Sequence, residues 1–191
     1  MQQLKMYKTD GARADETLPR GYTYATHDES YIDKWISVMD GAIGSEWTSE
    51  KFYKSMLDLP GLSPEGIFYV LNDNGEAVAT AAGVCDHGGD IGTGQLHMVA
   101  VHISCRGMGL GAPISAKAAN YLHASGMKKI MLTTDDFRLP AVKVYLNQGY
   151  IPVLYDESML ERWKEMAKQT GRTALPAYDG DVYIDNIFDI K

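Results

Sequence analysis

Cysteine is scarce in this chain: the 191 residues include two, Cys85 and Cys105. They have neither the paired spacing of a zinc site nor the number needed for a disulfide framework. The expectation is a reduced, cytoplasmic protein without a metal. No apolar run approaches the roughly 18 residues that a bilayer-spanning helix requires. The opening MQQLKMYKTDGARADETLPRG is polar and lacks the apolar centre of a signal peptide. Positive charge is also short, with 18 Lys and Arg against 25 Asp and Glu and a formal net charge of −7. That balance argues against nucleic acid or an anionic membrane as partner and suits a cationic small molecule. The phosphate loop G-x-x-x-x-G-K-[ST] is absent as well.

What is present is a chain of ordinary globular composition, 45% hydrophobic and 23% charged. Residues 1–20 read as an arm, 21–155 as one domain, and 156–191 as a helix and strand-like extension packed on it. YTYATH alternates like a strand, and a helix follows from about Asp28 or Ser30, either of which can cap it. SEKFYKSMLDL reads as a second helix. Three β-rich runs come next, GIFYVLND, EAVATAAGVCD and TGQLHMVAV, the first two joined by the turn signal NDNGE. They describe an antiparallel meander. APISAKAANYLHASG then reads as a helix with Pro113 in its first turn and Gly126 at its end. KKIMLTT, LPAVKVYLNQG and YIPVLY follow as strand, helix and strand. Ser158–Lys168 reads as a helix, and DVYIDNIFDI as a last alternating stretch. The fold class is α/β, with a mixed central sheet that starts antiparallel and turns parallel at the strand–helix–strand unit, and helices on both faces.

The segment LHMVAVHISCRGMGLGAPISAKAANYL carries the chemistry. Gly107, Gly109 and Gly111 alternate between the last meander strand and a helix, directly after Arg106. N–H groups at a helix N-terminus lack intrahelical partners and face the positive end of the dipole, so they suit an anion. Glycines let a bulky phosphate approach that backbone closely. Gly107, Gly109 and Ala112 also satisfy the dinucleotide pattern G-x-G-x-x-[GA], with Asp135 downstream. There the first glycine should follow its strand almost directly, whereas HISCR intervenes here and three strands precede.

RGMGLG, Arg106 to Gly111, fits [QR]-x-x-G-x-[GA], and PAVKVYLNQGYIPV resembles a second signature, Ala-Ile-x-x-Tyr followed by Gly-[FY]. At this spacing the chain resembles the GNAT N-acetyltransferase superfamily from about Tyr22 to Leu154. The resemblance implies the acyl-CoA N-acyltransferase fold, acetyl-CoA as acyl donor and no metal. It places a pyrophosphate on the N–H groups of Met108, Gly109, Leu110, Gly111 and Ala112. A pantetheine arm would pair with the backbone around Val99 and Val101, and the Val99 N–H would polarise the thioester carbonyl. Tyr145 corresponds to the general acid that protonates the leaving thiolate. A core aromatic is the alternative role for it.

The base is less fixed. Many members carry a glutamate where this chain has Gln95, which cannot take a proton. His97, two residues on and on the same face, matches a histidine used by some arylalkylamine-type members and titrates near neutrality. Asp86, His87 and Asp90 offer a water relay instead, and His102 reads as structural. Arg138 stands where the second signature usually has Asn; members resembling mycothiol synthase share this feature, and it makes Arg138 a candidate pantetheine contact. Lys143 is a second basic group for the phosphates, and Cys105 reads as packing.

Acetyl transfer to a primary amine of a small molecule or peptide, by direct attack in a ternary complex, is the leading function. A non-catalytic CoA-binding module and an NAD-dependent dehydrogenase are the alternatives. The acceptor would meet the first two helices, the loop with Trp47 and the tail near Tyr183. The tail stretch VYIDNIF leaves homodimerisation open.

Overall fold

A computed structural model describes residues 2–180 and 182–190. The chain divides into two compact units: Gly11–Ile130, and the first ten residues together with Met131 onward.

In the larger unit, β2 (Tyr22–Thr26), β3 (Ile67–Asn72), β4 (Ala77–Val84) and β5 (Thr93–Val101) form the expected antiparallel meander in chain order. Its period-two alternation serves two helical layers. Ile67, Tyr69, Ala82 and Val84 join a core with Trp35, Val38 and Met39 of α1 (Ile32–Met39) and Phe52 of α2 (Ser49–Ser55). The opposite face lies under α3 (Gly111–Ala124), where the ring of Phe68 meets Tyr121 edge-on at 5.6 Å. Gly83 and Gly94 sit beneath that helix. A Cβ on either would come within 2.9 or 2.8 Å of Leu122, so the helix rests almost on backbone.

One cap falls where the sequence put it, at Asp28, and Thr48 supplies another that the sequence reading did not name. Asp28 Oδ1 accepts from the Ser30 N–H at 2.8 Å, and Thr48 Oγ1 accepts from the Lys51 N–H at 3.2 Å. α1 stops at Met39 rather than running on through Gly44. The segment after it folds back on itself, with the Trp47 indole N–H donating to Ile43 O at 2.7 Å and its ring edge-on to Trp35 at 5.0 Å.

The smaller unit differs more from expectation. Leu4–Lys8, read as part of an arm, is a strand, β1, with Leu4, Met6 and Lys8 buried. It stands between β6 (Lys129–Thr134) and β7 (Ile151–Leu154), paired antiparallel with β7 through Met6 opposite Pro152. The strands on either side of α4 (Leu139–Asn147) are therefore separated by the chain's own beginning. Beyond β7 the order continues with β8 (Ala177–Asp179), parallel to it, and β9 (Val182–Ile184), antiparallel to β8. α5 (Met159–Thr170) buries Met159, Trp163 and Met166. The alternating tail is thus a short strand and then a turn, with Asp181 outside the described residues.

The rest of the expected arm is pinned to α3. Asn120 accepts from the Ala14 N–H at 3.1 Å through Oδ1 and donates to Ala14 O at 2.9 Å through Nδ2. The fold is the mixed α/β one read from the sequence, with its N-terminus structured rather than loose.

Candidate active site

The site starts at an irregularity in β5. Its register against β4 runs Gln95 to Val84 and His97 to Ala82, then resumes with Ala100 opposite Thr80. Met98 and Val99 therefore face one residue, Ala81, and Met98 has φ of 47°. This is a β-bulge, which interrupts the ladder and re-aims the strand. It falls on Val99, one of the two positions expected to meet a pantetheine arm. Val101 pairs in register with Ala79, so the strand is regular again before the glycine loop.

After Val101, a short turn over Ile103–Cys105 is capped by His102, whose Nδ1 accepts from the Ser104 N–H at 3.3 Å. This is the structural role expected of His102. Gly107 and Gly109 have φ of 80° and 77°, a conformation that side chains resist, while Gly111 opens α3 with an ordinary φ. A Cβ at Gly107 would touch nothing, and at Gly109 and Gly111 it would meet only Pro19 and Val101, both at 3.9 Å. The loop is therefore open on the side where side chains are missing. The N–H groups of Gly109 and Leu110 make no backbone bond among the described residues, and that of Met108 reaches only Cys105 O at 3.4 Å. Free donors at the start of a 14-residue helix make an anion cradle. Arg106 is exposed beside it, with one long contact to Ala42 O at 3.4 Å. Tyr22 and Pro19 also border the loop, the Tyr22 hydroxyl donating to Met108 Sδ at 3.3 Å. Nothing in the local sequence marks those two residues, because 86 positions separate Tyr22 from Met108.

Gln95 and His97 share the face toward α2, as strand alternation requires. His97 Nε2 lies 2.9 Å from Ser55 O. A carbonyl only accepts, so Nε2 carries the proton and Nδ1 keeps its lone pair in the neutral ring. Burial holds the His97 pKa below the ordinary histidine value, partly offset by that hydrogen bond. Of the relay candidates Asp86, His87 and Asp90, Asp86 accepts from the Gly92 N–H at 2.7 Å, and Asp90 pairs with Lys129 at 3.4 Å. Both organise the turn before β5.

Tyr145 and Arg138 belong to the smaller unit. Tyr145 is 7% exposed on α4, its ring 5.8 Å from Tyr150 in an edge-on contact. Burial pushes its pKa up to about 12, against a smaller opposing pull from Arg138. The hydroxyl thus holds its proton at any working pH, which a general acid must do. Arg138 precedes α4, bonds Asp135 through Nε at 3.0 Å and stacks over Phe137 at 5.3 Å. Lys143 is exposed on the same helix. Sequence reasoning passed over Lys8, buried at the other end of α4. Its only signal was a lysine in step with Leu4 and Met6.

The larger unit thus holds the bulge, the glycine loop and His97, and the smaller one holds Tyr145 and Arg138. Within the larger unit, free N–H donors at the mouth of α3, following a bulged strand, suit the phosphate of a nucleotide cofactor. The model of the acetyltransferase (GNAT) family matches residues 27–150, and the chain belongs to that family. It is 34% identical to a mycothiol acetyltransferase of Arthrobacter sp. (strain FB24) over 64 residues, which is 34% of this chain and 20% of that protein. A GCN5-related N-acetyltransferase from Sphaerobacter thermophilus superposes with a TM-score of 0.67 at 19% identity, over 78% of this chain and 48% of that one. A chain of the NatC complex bound to Gag peptide and CoA superposes with a TM-score of 0.59 at 17% identity, over 68% of this chain and 84% of that one. The match thus takes in one fifth of the Arthrobacter protein and about half of the Sphaerobacter chain. No helix among the described residues is long and apolar enough to cross a membrane.

Proposed function

We propose that this chain transfers the acetyl group of acetyl-CoA to a primary amine of a small molecule or peptide. The observation that carries the reading is the bulge at Met98 and Val99 leading into a glycine turn with free N–H donors at Gly109 and Leu110. The donors and Arg106 take the pyrophosphate, and the backbone of β5 around Val99 and Val101 takes the pantetheine arm, with the Val99 N–H on the thioester oxygen.

The amine must attack unprotonated. Each unit between its pKa and the working pH costs about 1.36 kcal/mol. His97 Nδ1, kept neutral by burial, takes the proton from the ammonium. Nitrogen then adds to the carbonyl carbon, and the tetrahedral species collapses as the C–S bond breaks. The sulfur leaves with the proton of the Tyr145 hydroxyl, and the second proton of the attacking nitrogen, released as the amide forms, restores the phenol. A phenol near 12 gives its proton to an ordinary thiolate, about 8.5, only uphill. The same dry surroundings that raise the phenol also raise the thiol, which narrows the gap. Arg138 contributes to cofactor binding from the start of α4.

Turnover of acetyl-CoA with a panel of primary amines tests the reading. Tyr145→Phe is expected to lower kcat by about a hundredfold and His97→Ala by a similar factor, with CoA affinity retained in both. CoA binding without turnover on any amine would favour a binding module, for which Gln95 in the glutamate position is the supporting feature.

A further inference from the structure

Lysine is almost never fully buried without partners, yet Lys8 is 2% exposed. Its ammonium donates to Gln148 O at 2.9 Å and pairs with Asp10 at 2.7 Å. Gln148 is where α4 ends. The carbonyls of a helix's last turn lack N–H partners and carry the negative end of the dipole, so a cation is favoured there. That last turn is also the one that holds Tyr145. The N–H groups of Gln148 and Tyr150 both donate to Tyr145 O at 3.0 Å. Between them Gly149 turns the chain with φ of 83°, and a Cβ on it would lie 3.2 Å from Asp10 Oδ2 and 3.4 Å from Lys8 Nζ. The ion pair is therefore seated on the turn itself. Leu4 and Met6, fully buried on the same face of β1, and the register of Met6 with Pro152 fix where Lys8 arrives.

We propose that Lys8, with Asp10 as its counter-charge, is a positioning residue for acetyl transfer. The N-terminal strand clamps the last turn of α4 and so sets the Tyr145 hydroxyl against the leaving sulfur. The proposal rests on Tyr145 being the general acid. Tyr150 belongs to the same assembly: its hydroxyl is buried without a hydrogen-bond partner among the described residues, and its ring packs on Tyr145.

The test compares Lys8→Met, Lys8→Arg, Asp10→Asn, Tyr145→Phe and the double variant Lys8→Met/Tyr145→Phe. Turnover is read as thiol released from acetyl-CoA, with amines and with water alone as acceptor. CoA affinity is read by calorimetry, and amide hydrogen exchange is followed over residues 139–150. Lys8→Met is expected to lose about tenfold or more in kcat with CoA affinity kept within about twofold, and to speed exchange at Gln148 and Tyr150. Lys8→Arg should recover most of the loss. Asp10→Asn, at a half-exposed position, should show a smaller loss in a folded protein. Added to Tyr145→Phe, Lys8→Met should cost nothing further, because the group it positions is gone. Additive losses in the double variant, or full kcat in Lys8→Met, would overturn the proposal. Full activity of Tyr145→Phe would overturn the acid assignment and the clamp's purpose together. An impaired Tyr145→Phe beside an unimpaired Lys8→Met would overturn the clamp alone.

Discussion

At the scale of single residues, the imidazoles of buried His27 and half-buried His97 tie the proposed function to stability. His27 Nδ1 lies 2.9 Å from the Tyr69 hydroxyl, with Nε2 buried and unpartnered among the described residues, and His97 is held by Ser55 O. Burial lowers the pKa of both. A histidine with a lower pKa in the folded than in the unfolded chain binds fewer protons when folded. Its stability contribution is therefore complete above the unfolded value, about 6.5, and is lost as pH falls from there toward the folded value. Thermal melts at pH 8, 6.5 and 5 should show a falling midpoint over the lower interval and little change over the upper one. His27→Gln should flatten part of that fall. A midpoint that rises on acidification would contradict the assignment. Tyr145 follows the same logic with the opposite charge: burial preserves its neutral form, the form the proposed acid role requires.

At the scale of elements, the meander and α3 are joined by absence of bulk. Because Leu122 lies within 3 Å of where a Gly83 side chain would begin, Gly83→Ala must push α3 off the sheet. Overpacking of this kind costs about 1–3 kcal/mol. Chemical denaturation should show that loss, and an unchanged midpoint would mean the helix adjusts freely. The elements legible in the sequence were those whose signal is local. β3, β4 and β5 are β-rich runs, Asp28 caps, and RGMGLG stands at the mouth of α3. β1 escaped because LKMYK is five residues long in a polar setting and its partner β7 begins at Ile151. The bulge escaped for another reason: Met98 and Val99 look like any strand residues, and only the register with β4 shows that one is extra. The glycine loop could be read as a phosphate cradle, but not that Tyr22 and Pro19 would border it. Lys8 escaped with its strand, since a lone lysine near a terminus ordinarily signifies solvent.

At the scale of the whole molecule, the chain's beginning is structural on two counts. Residues 4–8 fill a place between β6 and β7, and Ala14 and Glu16 are fastened to Asn120 of α3, the latter through Nδ2 to Oε2 at 3.0 Å. The region matched to the acetyltransferase (GNAT) family begins only at residue 27, so these attachments lie outside it. The central claim is that the open glycine turn receives a CoA pyrophosphate, and calorimetric titration of the chain with CoA, with NAD as control, tests it most directly. The account predicts micromolar CoA binding, no NAD binding, and at least a tenfold loss of CoA affinity in Gly109→Val, roughly 1.4 kcal/mol or more. NAD binding in place of CoA, or CoA binding untouched by Gly109→Val, would contradict it.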